Sequence, residues 1–338
     1  MRDSLALALN PPADEPRMNR PELVMITVMG TACAPLSGEN PYRIGQDGTP
    51  RILPGTGGIV PSHRVGDPCV RLQADHVEPG VSIRHEPRIR GGDGANQALQ
   101  TYSCVGNWAV VMNGACKGAR GVVTGKHGGV DTVLVDFPTD VMLKMALGDR
   151  IQVYAYGLGL KLVDHPQVEV LNASPRLIAR WGLTHGRGPL IAPVTHVVPA
   201  KIMGSGLGRN TVLRGDYDIQ LFDQEVARRY GLNSLRFGDM VAIENADNRF
   251  GRSYSADHVS IGVIIHSDST VAGHGPGVVT LLTGRREHLR YRRDGNANLA
   301  QLLDIRAPAR PRPQPPISVR ARRPAPVPRI PVLERSRR

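Results

Sequence analysis

The run Ala74-Asp-His-Val-Glu-Pro-Gly-Val-Ser-Ile83 returns as Ala256-Asp-His-Val-Ser-Ile-Gly-Val-Ile-Ile265, with seven of ten positions identical. Downstream, Gly91-Gly92-Asp93-Gly94 falls opposite Gly273-His274-Gly275-Pro276 at the same offset. A carboxylate beside an imidazole suits two kinds of chemistry: holding a divalent ion, and moving protons near neutral pH. If the two copies pack about a pseudo-two-fold axis, like residues meet there and offer an ion such as Zn, Mn or Fe two imidazoles or two carboxylates. The expected ligands are His76, Asp257, His258 and His274. His266 could add to the second copy, and His85 and Asp93 to the first. Asp75, His76 and Asp93 are the expected catalytic groups. Neighbouring side chains on a strand point to opposite faces, so Asp and His of one pair reach the same ion only where the chain turns. The competing reading is structural: each Asp closes a turn and each His bonds backbone.

Three further stretches could do chemistry. Gly204-Ser-Gly206-Leu-Gly208-Arg209 presents backbone amides beside an arginine, as cofactor phosphate-cradling loops do, but it lacks the Lys-Ser/Thr of a P-loop, and a tight turn between strands is the default reading. Cys104, with Asn107 and a distant His, could form a nucleophile set; a small buried core residue is the plainer role. Gly125-Lys-His-Gly-Gly129 could be an anion-binding turn through Lys126, or a hairpin loop before the strand Thr132-Val-Leu-Val135.

The elements that must hold these residues are mostly strands. Aromatics make up 4% of the chain, against 38 Gly and 28 Pro, and its apolar residues are largely aliphatic, which favours short strands and turns. Leu23 to Met29 and Arg150 to Tyr156 read as strands. Val65-Gly66-Asp67, Leu147-Gly148-Asp149, Arg214-Gly215-Asp216 and Phe237-Gly238-Asp239 each read as a turn that launches a strand, with Gly taking positive φ and Asp closing the turn. Short helices are expected at Ser174 to Gly182, Asp218 to Tyr230 and Asn298 to Ile305. The irregular stretch from Pro35 to Pro61 reads as an ordered arm or a lid over a site. The fold class is therefore α+β, mostly β, as duplicated barrel-like or sandwich modules: a disordered N-terminus (1–17), an N-terminal module (18–170), a C-terminal module (171–305) and a disordered Arg/Pro tail (306–338).

The net charge of +12 belongs mainly to that tail, where ten arginines face Glu334 alone, leaving +3 for the body. The body thus has neither a phosphate stripe nor a stacking platform for nucleic acid. The tail is a candidate ligand for anionic surfaces or a proline-recognising partner. Four dispersed cysteines without Cys-x-x-Cys fit reduced thiols and a cytoplasmic location, and no apolar run is long enough for a membrane span. A homo-oligomer is compatible with the glycine loops serving as subunit contacts.

Asn19-Arg-Pro-Glu-Leu-Val-Met-Ile26, Pro54-Gly-Thr-Gly-Gly58, Val65-Gly-Asp-Pro68, Asp75-His-Val-Glu-Pro-Gly-Val-Ser82, Gly91-Gly-Asp-Gly94 and Gly125-Lys-His-Gly-Gly129 together resemble the uncharacterised prokaryotic family designated domain of unknown function 4438. The resemblance runs from Met18 to about Arg290 and implies no catalytic residues. Gly125-Lys-His-Gly-Gly129 is also similar to acetamidase/formamidase-type β proteins, which implies hydrolytic chemistry. The expected function is a metal-assisted hydrolase or lyase for a small polar substrate; the alternative is a non-catalytic small-molecule-binding or assembly protein whose Asp-His pairs are structural.

Overall fold

A computed structural model describes residues 15–36, 42–85, 94–204 and 211–306; Asp93, Gly206, Gly208, Arg209 and most of the Arg/Pro tail lie outside the described residues. The first strand, β1 (Ile26–Ala32), starts later than its apolar run, because the chain first closes a short turn in which Leu23 N–H donates to Arg20 O. There follow β2 (Arg43–Ile44), β3 (Pro50–Arg51), β4 (Ile59–Val60), β5 (Gly80–Arg84), helix α1 (Gly94–Tyr102), β6 (Trp108–Val111), β7 (Arg120–His127), β8 (Thr132–Asp136), α2 (Thr139–Met142) and β9 (Arg150–Ala155).

β1 pairs antiparallel with β9 along most of its length and, at its end, with β5 through Thr31↔Arg84 and Ala32↔Ile83. The order β1-β9-β6-β7-β8-β5 therefore returns to β1 and closes a six-stranded antiparallel barrel, which leaves those strands no free edge. Alternate residues such as Val81, Ile83, Val133, Val135, Ile151 and Val153 form one buried cluster, each worth about 1.5–3 kcal/mol over an exposed side chain. Leu99 of α1 joins that cluster. Gly30 makes the contact feasible, since a β-carbon there would lie 2.8 Å from Leu99 Cδ2. Sequence periodicity gave no warning of α1.

The second half supplies β10 (Glu169–Val170), α3 (Pro175–Arg180), β11 (Leu190–Val194), β12 (His196–Pro199), β13 (Tyr217–Asp218), α4 (Gln224–Arg229), β14 (Met240–Asp247), β15 (Ser253–Ile264), β16 (Gly277–Arg285), β17 (Leu289–Arg293) and α5 (Leu299–Leu302). Its main sheet runs β10-β16-β15-β14-β12, with β13 also pairing to β16. Only the β12–β14 pair in that sheet is parallel, and β11 and β17 form a separate parallel pair.

The two sheets share a core. Val122 of β7 and Leu134 of β8 belong to the same buried cluster as Ile261, Val263 and Leu281, so β8 is buried at every position. At Gly125 the approach is closest, because an added β-carbon would lie 2.7 Å from Ile265 Cβ. Gly125 is thus a contact between sheets within β7, while Gly128-Gly129 fall in the hairpin turn before β8, as the hairpin reading has it, and not in an anion-binding turn on Lys126. Lys126 is fully buried there, its Nζ donating to Asn172 Oδ1 and Leu213 O at 2.8 Å each.

α3 begins as its sequence implies, with Ser174 Oγ accepting from Leu177 N–H. The helix expected from Asp218 covers only Gln224–Arg229, capped by Asp223, because Tyr217 and Asp218 are drawn into the sheet beside β16. Three of the four Gly-Asp pairs behave alike. Gly66, Gly148 and Gly238 have positive φ, and Asp67, Asp149 and Asp239 accept from the backbone N–H three residues earlier. Gly215-Asp216 departs from the pattern: Asp216 Oδ1 accepts instead from Gly128 N–H at 2.9 Å.

Candidate metal centre

Four sequence-distant segments converge where β7, β13, the end of β15 and the irregular chain before β5 meet. The irregular chain before β5 is stitched to the segment after β15: His76 N–H donates to Asp268 O at 3.1 Å, Ser267 N–H donates to Val77 O at 3.0 Å, and Val77 N–H donates to Ser267 Oγ at 2.9 Å. This lays His76 beside His266, their ring centroids 5.0 Å apart. His76 has φ of +56°, a left-handed conformation costly for a side-chain-bearing residue and concentrated at functional sites. The chain therefore does turn at the Asp-His pair. Asp75 Oδ1 reaches back to His76 Nδ1 at 3.2 Å, leaving Nε2 pointing into the cluster.

Two groups of donors result. In the outer one, His76 Nε2, His274 Nδ1 and Asp218 Oδ2 are separated by 3.0, 3.0 and 3.3 Å. Tetrahedral ligation at zinc–nitrogen distances spaces neighbouring ligand atoms about 3.3 Å apart. The inner group is His127, Asp216 and His266, all buried. His266 Nε2 lies 3.0 Å from Asp216 Oδ2 and 3.5 Å from Asp218 Oδ1, yet it is a buried nitrogen with no partner in hydrogen-bonding alignment. Such an atom needs a reason. On its other side, His266 Nδ1 donates to Ser267 O at 2.8 Å, which in the neutral imidazole makes Nε2 the free lone pair.

Supporting contacts fix the remaining donors. His127 Nδ1 bonds Glu78 Oε1 at 2.6 Å, and Glu78 also accepts from Thr132 Oγ1, Gly57 N–H and Ser82 Oγ. A carboxylate behind a histidine in this way fixes tautomer and ring orientation at metal sites. Asp216 and Asp218 sit two residues apart on extended chain and so share a face. Opposite Asp218 in the register stands Gly277, where an added β-carbon would collide with both Asp216 Oδ2 and His266 Nε2. The space between those atoms is kept clear.

Glu78 and Asp218 stay ionised. Burial raises the pKa of Glu78, but the His127 hydrogen bond and charge overcome it and hold Glu78 at about 2. Burial likewise opposes Asp218, which His266, His274 and His76 bring well below the usual carboxylate range. Burial depresses the His76 and His266 imidazoles, yet Asp218 with Asp75 raises the first, and Asp216 with Asp218 raises the second well above its ordinary value. The centre is a pocket of fixed negative charge that calls for cations, whether protons or a metal. Its nitrogen and oxygen donors suit a borderline divalent ion such as Zn, Mn or Fe.

Several expected site residues fall elsewhere. Asp257 is exposed on β15, and His258 bonds Ser255 Oγ at 2.8 Å and lies 3.7 Å from Asp247. Neither joins the cluster, because in the second copy the Asp-His pair lies within a regular strand and the chain does not turn there. His266, at the far end of that strand, takes the place expected of His258. His85 stands on the barrel side, its N–H donating to Asn96 Oδ1. Gly204 packs against Gly273. Cys104 is buried, which raises its thiol pKa against the opposing charge of Lys126, and Asn107 Oδ1 accepts from the Cys104 N–H, so no nucleophile set forms. Missed altogether were Asp218, taken for the start of a helix, and the pairing of Glu78 with His127.

A cleft of about 220 Å³ reaches the outer group at Asp75 and His76, walled by Tyr42, Arg43, Thr56 and Thr270 among others. The expected arm over a site is this wall, built partly by the β2–β3 hairpin.

A barrel and a mixed sheet fused through one core, with a His/Asp centre at their junction, define a β-rich protein whose halves share one candidate metal site. The chain belongs to the DUF4438 family: the domain described as "Domain of unknown function (DUF4438), N-terminal" matches residues 42–179, and its C-terminal counterpart matches 180–303. The crystal structure of TM1086 is similar, with 41% identity and a TM-score of 0.79 over 85% of this chain and 98% of that one. No curated protein matches. Among the described residues no helix is long and apolar enough to cross a membrane.

Proposed function

We propose that the chain is a metal-assisted hydrolase or lyase acting on a small polar substrate. One observation carries the reading: donors from four distant segments, all buried but His274, are aimed at common points, and the buried His266 Nε2 among them has no aligned partner. A divalent ion held by such donors lowers the pKa of bound water toward neutrality and polarises a substrate oxygen. The protein's own part is to keep Asp218 ionised, to set the His127 tautomer through Glu78 and the His76 tautomer through Asp75, and to exclude bulk water from the inner group. The polar cleft at His76 is sized for a small substrate, and Arg43, 3.5 Å from Asp75 Oδ2, stands where a substrate's negative group would arrive.

The test is elemental analysis of purified, untagged protein alongside turnover of a panel of small amides, esters and hydroxy acids before and after chelation. The expected result is a stoichiometric transition metal, reduced in His76→Ala without loss of fold, and turnover that disappears with the metal. Metal-free protein whose melting is unmoved by adding divalent ions would reject the reading. A non-catalytic binding role is favoured by a different feature, a cavity of about 680 Å³ lined by Trp108, Tyr154, Tyr156 and Arg176 that shares no residue with the cluster. Metal-free protein that still binds a small molecule there would put that role first.

A further inference from the structure

We infer that the cluster is a single two-ion centre in which the Asp218 carboxylate bridges a buried, slowly exchanging inner ion and an outer, exchangeable one at the cleft. The inference deepens the metal-assisted reading and rests on it.

Asp218 is shared by its two oxygens. Its Oδ2 faces His76 Nε2 and His274 Nδ1, at 3.3 and 3.0 Å, while its Oδ1 faces His266 Nε2 of the inner group at 3.5 Å. A carboxylate that turns one oxygen to each of two imidazole sets is arranged as a bridge. The rings continue the connection, with His127 and His266 centroids 4.5 Å apart and His76 and His266 5.0 Å apart. The six donors are therefore one continuous site.

Charge supports two ions. Asp75, Glu78, Asp216 and Asp218 place four carboxylates at the cluster, and His127, His76 and His266 each turn one ring nitrogen to a fixed acceptor, Glu78, Asp75 and Ser267 O. Arg43, 3.5 Å from Asp75, offsets one of the four, and a single divalent cation still leaves negative charge that low-dielectric surroundings penalise. Chemistry limits the ions to those that accept imidazole and carboxylate together, such as Zn, Mn, Fe(II) or Co(II). Thiolate-seeking ions are not served, since all four cysteines are free, buried and outside both groups.

The two positions differ in access. Every inner donor is buried, and each is braced: His127 by Glu78, His266 by Ser267 O, Asp216 by Gly128 N–H. In the outer group the His274 side chain is 37% exposed, and the cleft ends on His76. An ion there can be reached by chelator and substrate; the inner ion leaves only when the stitched loops open.

The experiment uses the full chain, prepared metal-free and reloaded with Mn(II) alone. Two ions per chain are expected at saturation, with an exchange-coupled manganese spectrum and biphasic loss to chelator, one ion leaving fast and one slowly. His274→Ala, at the exposed rim, should fall to one slowly lost ion with an uncoupled spectrum, and Asp218→Asn should abolish the coupling. His258→Ala should keep both ions and the coupling. Should Asp218→Asn fail to fold, His274→Ala still decides. A single ion at saturation in wild type, or two ions without coupling, would overturn the bridge while leaving a metal-assisted function standing. No bound ion in folded protein would remove both.

Discussion

His76 Nε2 and His274 Nδ1 lie 3.0 Å apart, and Asp218 Oδ2 is within 3.3 Å of both. Two imidazole nitrogens at that distance accommodate one proton or one metal ion between them, so the two cations compete.

That competition fixes a pH dependence. Against the opposing effect of burial, Asp218 and Asp75 raise the His76 pKa above its ordinary 6.5. In metal-free protein this group's stabilisation is complete below about pH 6.5 and is lost as pH climbs through the raised value. Metal-loaded protein should show the opposite slope, because an ion must displace the protons, and each displaced proton changes affinity about tenfold per pH unit. Melting of the metal-free and Mn(II)-loaded forms between pH 6 and 8 checks this. Parallel slopes would contradict it.

Glu78→Gln should weaken metal binding about 10–100-fold without touching a ligand, through loss of the carboxylate behind His127. It should also change acid stability. With a folded pKa of about 2 against an ordinary 4.5, Glu78 contributes about 3 kcal/mol above pH 4.5, lost as pH falls toward 2. Denaturant titrations of metal-free wild type and E78Q across that range should converge at low pH.

Gly277→Ala places a methyl group against Asp216 Oδ2 and His266 Nε2. The glycine is not in the left-handed region, so any effect of alanine comes from the methyl group's collision and not from backbone strain. Metal content should drop, the inner position first. Wild-type stoichiometry in G277A would mean that the space between those atoms holds nothing.

Lys126 is buried without a carboxylate partner, and burial brings its pKa down to about 8 from 10.5. A depressed lysine costs stability while it is protonated in the fold, about 3 kcal/mol below pH 8, and the cost fades as pH rises toward 10.5. Unfolding free energy should therefore rise with pH relative to Lys126→Met between pH 8 and 9.5. A constant difference between the two proteins would show that the buried amine keeps its proton as readily as the unfolded chain does.

Much of this fold can be read from residues alone. Three Gly-Asp turns, the Ser174 cap and the aliphatic strands each follow from local chemistry. The metal centre is legible only in part. His76 and His274 stand out through the repeat, and His266 as an addition to it, but the repeat points equally to His258, since identity of sequence does not reveal that one copy turns and the other stays extended. Asp216 looked like a fourth turn residue, and only its failure to bond its own turn marks it as different. Asp218 was hidden because Ile219, Phe222 and Val226 after it read as one face of a helix, when sheet pairing with Gly277 decides the conformation of Asp218. Helix α1 was lost behind the glycines that precede it.

The stitching of the chain around His76 to the chain around Ser267 has a kinetic meaning. Contacts within the centre span as many as 198 residues, so the donors cannot assemble until nearly the whole topology is in place, and long-range closure of this kind is slow. An ion that finds its ligands only in the completed fold cannot help nucleate it. What it can do is hold the door shut behind it: escape of the chain must pull apart both strand systems at the same point, so occupancy should lengthen the native lifetime far more than it hastens arrival.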